Sequence, residues 1–319
     1  MRISCHILDQ CPFSFPSSRI GNCVHGARRQ PPVAAGFSVV QLRMNKSNNP
    51  ALSFKGLCSV AKGNQALFCS QSNYIGILGG VSVLSTVKFL ERLLWWSSID
   101  GDECDLPLIV CNDETISNLA PSNGESCLRR EVFVENLIQK REFLQKYGAK
   151  CFLIPCHRSL ACHKEVAEGC SLSFLHIGES VASELKTAKL RPLEAGSKTP
   201  KVGVLALSSS PCAKFYQEEL QKEGFEVVLP DKQTMDHILV PAIEAATRND
   251  REGAKILLMI AIRVLLLKAV NTVVLAADEL QDLLPRDDPL LKRCIDPMDS
   301  LAKFTLMWAK DAGIIRRRT

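Results

Sequence analysis

Tyr74-Ile-Gly-Ile-Leu-Gly-Gly80 is a short apolar run closed by paired glycines, and Lys201-Val-Gly-Val-Leu-Ala206 repeats it in the second half of the chain. A short apolar run bounded by turn residues reads as a buried strand, and helical spacing follows each copy. After the first copy come a helix over Ser85 to Trp96, a strand Asp105-Leu-Pro-Leu-Ile-Val-Cys111, and a helix over Glu131 to Tyr147 stopped by Gly148. The strand Ala149 to Pro155 follows. After the second copy come a helix over Ala213 to Lys222, a strand Phe225 to Pro230, helices over Asp236 to Ala246 and Glu252 to Lys268, and a strand Thr272 to Ala276. Strands alternating with helices specify right-handed βαβ units and parallel sheets. The linker Leu190-Arg-Pro-Leu-Glu-Ala-Gly-Ser-Lys-Thr-Pro200 has a boundary composition. The expectation is an α/β protein of two pseudo-symmetric, doubly wound lobes, at 73–190 and 191–319, whose parallel sheets face each other across a cleft.

Residues 1–72 read differently. Asp9 is their only acidic residue, against Arg2, Arg19, Arg28, Arg29, Arg43, Lys46, Lys55 and Lys62, and prolines and serines interrupt any period. That is the composition of a disordered, transit-peptide-like leader, and it implies import into an organelle, a plastid (chloroplast) in this reading. A leader without targeting function leaves the protein cytoplasmic. The net charge of +5 resides largely in this stretch, so no basic patch with interleaved aromatics suggests nucleic acid. The most apolar segment, Lys255 to Lys268, is interrupted by Arg263 and falls short of the roughly 20 residues of a membrane span. It reads as a helix buried on most sides, against a sheet and either a second domain or a second subunit. The 14 cysteines are scattered over a long chain without a secretory signal, so a reduced interior is the better reading.

The chemistry concentrates where strands open into loops, since open α/β sheets place ligands at the carboxyl ends of their strands. Cys151-Phe-Leu-Ile-Pro-Cys156-His-Arg-Ser puts one thiol at such a point, where it can act as acid, base or nucleophile as well as simply pack. The counterpart, Asn271-Thr-Val-Val-Leu-Ala-Ala-Asp278-Glu279, carries no cysteine. Asp278 and Glu279 are candidate acid/base groups, or simply the acidic first turn of a helix. His157 and Arg158 would favour a thiolate if they face the cleft. Gly80 and Ser82 open a helix N-terminus suited to a carboxylate, with Ser208, Ser209 and Ser210 in the matching place of the second lobe. Cys151, Cys156, His157, Cys162 and His163 lack the short paired spacing of a zinc site, so no metal is expected.

Gly79-Gly80-Val81-Ser82 with Ser85-Thr86, Asn112 after the next strand, Pro155-Cys156, and Leu205-Ala206 followed by Ser210 and Phe215-Tyr216-Gln217 together resemble the aspartate/glutamate racemase family over about Tyr74 to Trp308. The resemblance implies a homodimer of two-lobed subunits that racemises a small acidic amino acid with neither pyridoxal phosphate nor metal. No cofactor is expected, and the partner is a small amino or carboxylic acid. In that family each lobe supplies one cysteine, in Pro-Cys-Asn-Thr and Gly-Cys-Thr-Glu motifs. Here the first reads Pro155-Cys156-His157-Arg158 and the second Ala276-Ala277-Asp278-Glu279, so Ala277 stands at the second thiol position. Asn112-Asp113-Glu114 also lacks the downstream arginine that would hold a side-chain carboxylate by a bidentate contact.

Racemisation needs one group to remove the α-proton and another to return it on the opposite face. Alanine does neither. Three readings stay open at this level: Asp278 or Glu279 faces Cys156 as the second acid/base; Cys156 works alone in another reaction, such as isomerisation, decarboxylation or one-sided proton transfer; or catalysis is lost and the cleft binds a small carboxylate or regulates a partner. Under the first, Cys156 is catalytic with Asp278 or Glu279, under the second Cys156 alone, and in both Gly80, Ser82, Asn112, His157 and Ser210 bind the ligand.

Overall fold

In the computed structural model of the chain, the described residues are 38–43, 53–54, 73–99, 106–112, 116, 127–194, 196–207 and 210–314. Their strands are β1 (Ser38–Arg43), β2 (Ser53–Phe54), β3 (Tyr74–Leu78), β4 (Leu108–Asn112), β5 (Ala149–Leu153), β6 (Ser173–Leu175), β7 (Lys201–Leu205), β8 (Glu226–Val228), β9 (Thr272–Leu275) and β10 (Cys294–Ile295). The helices are α1 (Val83–Ile99), α2 (Cys127–Lys146), α3 (His163–Ala167), α4 (Ile177–Thr187), α5 (Pro211–Lys222), α6 (Lys232–Thr234), α7 (Val240–Thr247), α8 (Arg251–Leu266) and α9 (Pro297–Asp311).

The strands form two sheets, ordered β2-β1-β4-β3-β5-β6 and β10-β9-β7-β8. The pseudo-symmetry is explicit in that order. The parallel set β4-β3-β5-β6 corresponds to β8-β7-β9-β10, with the repeated runs β3 and β7 in the same internal place. Strand alternation sends successive side chains to opposite faces. Thus Ile75, Ile77, Cys151, Leu153, Val202, Val204 and Val274 enter one shared core between the sheets. Leu78, Ile109 and Phe152 pack on the far side of the first sheet, and Leu205, Val273 and Leu275 on the far side of the second. The shared core also takes Phe89 and Leu93 of α1, Val181 and Leu185 of α4, Tyr216 of α5 and Leu301 of α9. Helix α9, last in the chain, returns to pack against α1 and α4 of the first half.

Four details depart from the sequence reading. Ser38–Arg43 falls in the stretch read as a structureless leader, yet it pairs antiparallel with β4, Val40 opposite Val110. A run containing Val39-Val40 can satisfy the open hydrogen-bonding edge of β4, and backbone pairing outweighs leader composition there. Apart from β1 and β2, residues 1–72 lie outside the described residues. The first sheet is therefore mixed, parallel within the lobe and antiparallel at its added edge. The helix expected over Asp236 to Ala246 opens with a π-turn at Met235–Leu239 before α7, because Pro241 lacks an N–H and its ring cannot sit beneath the carbonyl four residues back. Helix α8 buries Ala254, Leu258, Ala261, Ile262 and Leu265, but Ile256, Ile260 and Leu267 just beyond its end are exposed, so it is not covered on most sides within one chain. No helix among the described residues is long and apolar enough to cross a membrane.

Candidate functional site

The site forms where β5 and β9, corresponding strands of the two lobes, open toward each other. After Leu153 the chain turns at Pro155, where Cys156 N donates to the Ile154 carbonyl at 3.0 Å, and Cys156, with φ and ψ of −155° and 129°, stands at the start of a 3-10 segment, His157–Cys162. After Leu275, Ala276 and Ala277 stay extended and Asp278–Leu280 make one 3-10 turn. The two turns meet. The Cys156 thiol donates toward Asp278 Oδ2 at 3.9 Å.

Asp278 is held on every side. Its Oδ1 pairs with His157 Nδ1, its Oδ2 accepts from Ser85 Oγ at 3.0 Å, and Gln281 Nε2 lies 3.5 Å from Oδ1. Ser85 Oγ is also 2.8 Å from Ser82 Oγ, and Lys88 Nζ donates to the Asp278 carbonyl at 3.5 Å. On the far side of the imidazole, His157 Nε2 lies 3.2 Å from the Tyr216 hydroxyl. Burial alone would push His157 down, but the charge and hydrogen bond of Asp278 outweigh it and its pKa is raised. Burial would push Asp278 up, and the His157 imidazolium holds it below the usual carboxylate range. Each partner thus favours the charged form of the other. Burial, then the negative charge of Asp278, pushes the Cys156 thiol up, so Cys156 stays protonated.

Beside this cluster opens a cleft of about 180 Å³, lined by Ser82, Leu84, Ser85, Lys88, Arg158, Asp278 and Glu279. Its chemistry is two-sided. Lys88, Arg158 and the two hydroxyls offer donors to a carboxylate, while Asp278 and Glu279 offer acceptors to an ammonium group. Arg158 is exposed and has no ion pair among the described residues, whereas Lys88 lies 3.4 Å from Asp282.

Of the residues expected from sequence, Ser82, Asp278 and Glu279 line the cleft. Cys156 and His157, 2% and 4% exposed, lie behind Asp278 rather than on the cleft wall. Gly80, with φ of 94°, makes the left-handed turn from β3 into α1 and is itself buried, contributing geometry and no wall. Ser210 uses its oxygen as the N-cap of α5, accepting from Cys212 N at 3.2 Å. Asn112 ends β4 and is not part of the cleft lining, its Oδ1 buried without a hydrogen-bond partner among the described residues. Ser208, Ser209, Asp113 and Glu114 lie outside the described residues. Sequence reasoning gives no role to Lys88, Tyr216 or Gln281. Lys88 was nonetheless accessible, because it follows Ser85 by three positions on a helix and so shares its face. Among the described residues no group of three or more His, Cys, Asp or Glu side chains is arranged to hold a metal ion.

A family model for Asp/Glu/hydantoin racemase matches residues 78–305. Among solved structures, the chain is similar to an aspartate racemase homologue from Pyrococcus horikoshii OT3, with a TM-score of 0.61, 18% identity, and coverage of 75% of this chain and 99% of that one. It is also similar to the aspartate racemase of Picrophilus torridus, with a TM-score of 0.56, 22% identity, and coverage of 77% and 96%. At such identities the structural likeness establishes the two-lobed fold, and the spread of the sequence match establishes more.

Proposed function

The chain belongs to the Asp/Glu/hydantoin racemase family, and from that premise we propose that it binds a small amino or carboxylic acid in the cleft and transfers a proton on one face of it only, through Asp278. The observation that carries this is the 3.9 Å contact between Cys156 Sγ and Asp278 Oδ2. In a two-base racemase the α-carbon sits between the bases, each about 3–3.5 Å from it, so the two groups stand roughly 6–7 Å apart. Here the thiol and the carboxylate touch, on one side, and the family's second thiol position is Ala277. Lys88, Arg158, Ser82 and Ser85 hold the ligand's carboxylate, and Glu279 faces its amino group. Asp278 is the base that reaches the ligand, and Cys156 behind it is a hydrogen-bond donor to the carboxylate. The test is α-proton exchange in deuterated water over a panel of L- and D-amino acids. Exchange with retention that is lost in Asp278→Asn fits the proposal, and inversion at wild-type Asp278 overturns it.

A second reading, binding without catalysis, is favoured by one specific observation: Asp278 is held ionised by His157 and Cys156 is held protonated. A weakened carboxylate base and a thiol that is not a thiolate are both poorly matched to an α-proton. Under that reading no exchange occurs across the panel, while binding persists and falls in Arg158→Gln. Organelle import through the arginine-rich leader belongs to the same proposal, and a fluorescent-protein fusion of residues 1–72 tests it.

A further inference from the structure

Helix α8 leaves one face uncovered. Ile256 and Ile260 on that face are 57% and 38% exposed, and Leu267 just past the helix end is 88% exposed. Glu252 and Arg263 are exposed on the same face, and neither has an ion pair among the described residues. At 3.6 residues per turn, positions 252, 256, 260, 263 and 267 fall within about 80° of arc. They make one stripe, acidic at its start, apolar in the middle and basic beyond. Arg263 finds no carboxylate on its own helix, because three and four positions away stand Met259, Ile260, Leu266 and Leu267. Glu252 lies about 16 Å from it along the axis, out of reach within one chain.

We propose that this face meets the same face of a second copy of the chain, with the two α8 helices antiparallel about a two-fold axis between Ile256 and Ile260. The stripe is its own complement in that arrangement. Residues 256 and 260 are placed symmetrically about 258, and 252 and 263 nearly so. An axis that sets Ile256 of one protomer against Ile260 of the other therefore also sets Glu252 against Arg263, twice over. Antiparallel helix dipoles add to the attraction. A foreign partner would have to supply the apolar ridge and both charges in reversed order, whereas a second copy supplies them by symmetry. The family resemblance implies a homodimer without saying which surface meets; α8 supplies the surface and the register. Neither depends on the chemistry of the cleft. One face of a helix about 24 Å long covers less than the roughly 800 Å² per partner of a standard interface, so the dimer is weak, with a Kd on the order of 10 μM.

Sedimentation velocity of the full chain at roughly 1 to 100 μM, a range that brackets this Kd, tests the interface. The wild type should pass from monomer to dimer across that range. Arg263→Glu or Glu252→Arg alone opposes like charges twice in each dimer and should weaken association at least about tenfold. The two single variants mixed should associate with each other, since each mixed dimer again sets opposite charges face to face. The double variant should regain wild-type association. A wild type that stays monomeric throughout overturns the proposal and leaves the face to a different occupant. So does a dimer indifferent to both single variants, an outcome that keeps a homodimer but moves it to another surface. Single variants that are folded by circular dichroism and stay monomeric when mixed overturn it as well.

Discussion

His157 Nδ1 and Asp278 Oδ1 form an ion pair across the two lobes, joining the turn after β5 to the turn after β9. It explains why the divergence from the family's paired-thiol motifs falls on both lobes together: an imidazole in one motif answers a carboxylate in the other. The first prediction follows from its sign. His157 has a raised folded pKa, so its contribution is complete below about 6.5 and is lost as pH rises through the raised value. Asp278 has a lowered folded pKa, so its contribution is complete above about 3.9 and is lost as pH falls through the lowered value. The pair therefore stabilises most between about pH 4 and 6.5. Asp278→Asn or His157→Gln alone should cost about 2–3 kcal/mol in that window, by leaving its partner buried and unpaired. The double variant should cost clearly less than the sum. Urea unfolding of the four proteins against pH checks it, and additivity at pH 5.5 would rule the pairing out.

His163 and His176 give the acid limb. Their rings stack edge to face with centroids 3.8 Å apart, and burial first pushes them down to about 3 and about 4. Both are neutral when folded and protonate near 6.5 when unfolded, so the unfolded chain binds more protons and stability falls as pH drops from about 6.5 toward 4. The loss by pH 4 should be on the order of 3 kcal/mol for each, about 6 kcal/mol for the two together. His176 Nδ1 accepts from Gly178 N and Glu179 N as the α4 cap, a role asparagine can keep without titrating. His163 Nε2 is buried without a partner among the described residues. His163→Phe should therefore be near neutral at pH 7, where it removes an unsatisfied nitrogen, and with His176→Asn should flatten the acid limb. An unchanged slope in the double variant would assign the limb to other groups.

Arg92 is another interlobe tie. Its side chain, 11% exposed, pairs with Asp282, Asp296 and Asp299, so its removal leaves three carboxylates facing one another. Arg92→Gln should cost about 3 kcal/mol at pH 8. Asp296 binds its proton more tightly folded than unfolded, so the folded state is penalised above about pH 6 and relieved as pH falls through it. The cost of Arg92→Gln should accordingly shrink at pH 5, and a cost that grows on acidification would contradict this arrangement.

The lobes were legible because each is locally coded: repeated apolar strands, Gly148 stopping α2, and strand ends that locate Cys156 and Asp278 without any tertiary knowledge. The contacts that set the chemistry are not coded locally. Ser85 reaches Asp278 and Arg92 reaches Asp299 across most of the chain, and no periodicity announces such pairs. Helix α9 had a local start signal, Asp296-Pro297, an N-cap followed by an N1 proline, which apolar spacing does not use. That the helix returns to α1 follows only from burying Leu301 and Leu306 in the shared core. Gly178 shows the same limit. A Cβ there would stand 2.4 Å from Phe215 Cε1, a constraint set by α5 rather than by α4.

Restoring the missing thiol separates a lost side chain from a rebuilt site. Ala277 is extended, at φ −138° and ψ 128°, and is 9% exposed, so cysteine fits its backbone without strain. Ala277→Cys alone should not racemise aspartate or glutamate. Asp278 still touches Cys156, and its charge still raises that thiol. Replacing Asp278 by threonine and His157 by asparagine in the same chain returns the family's two motifs at those positions and removes the ion pair between the strand ends. Only that triple variant should invert a stereocentre, read as circular dichroism of the amino acid over time. If Ala277→Cys alone inverts it, the ion pair does not close the site and the one-face proposal loses its geometric basis. If the triple variant folds, binds aspartate and still fails, the obstacle lies beyond these three positions, and Asn112, whose Oδ1 has no partner among the described residues, is the next residue to change.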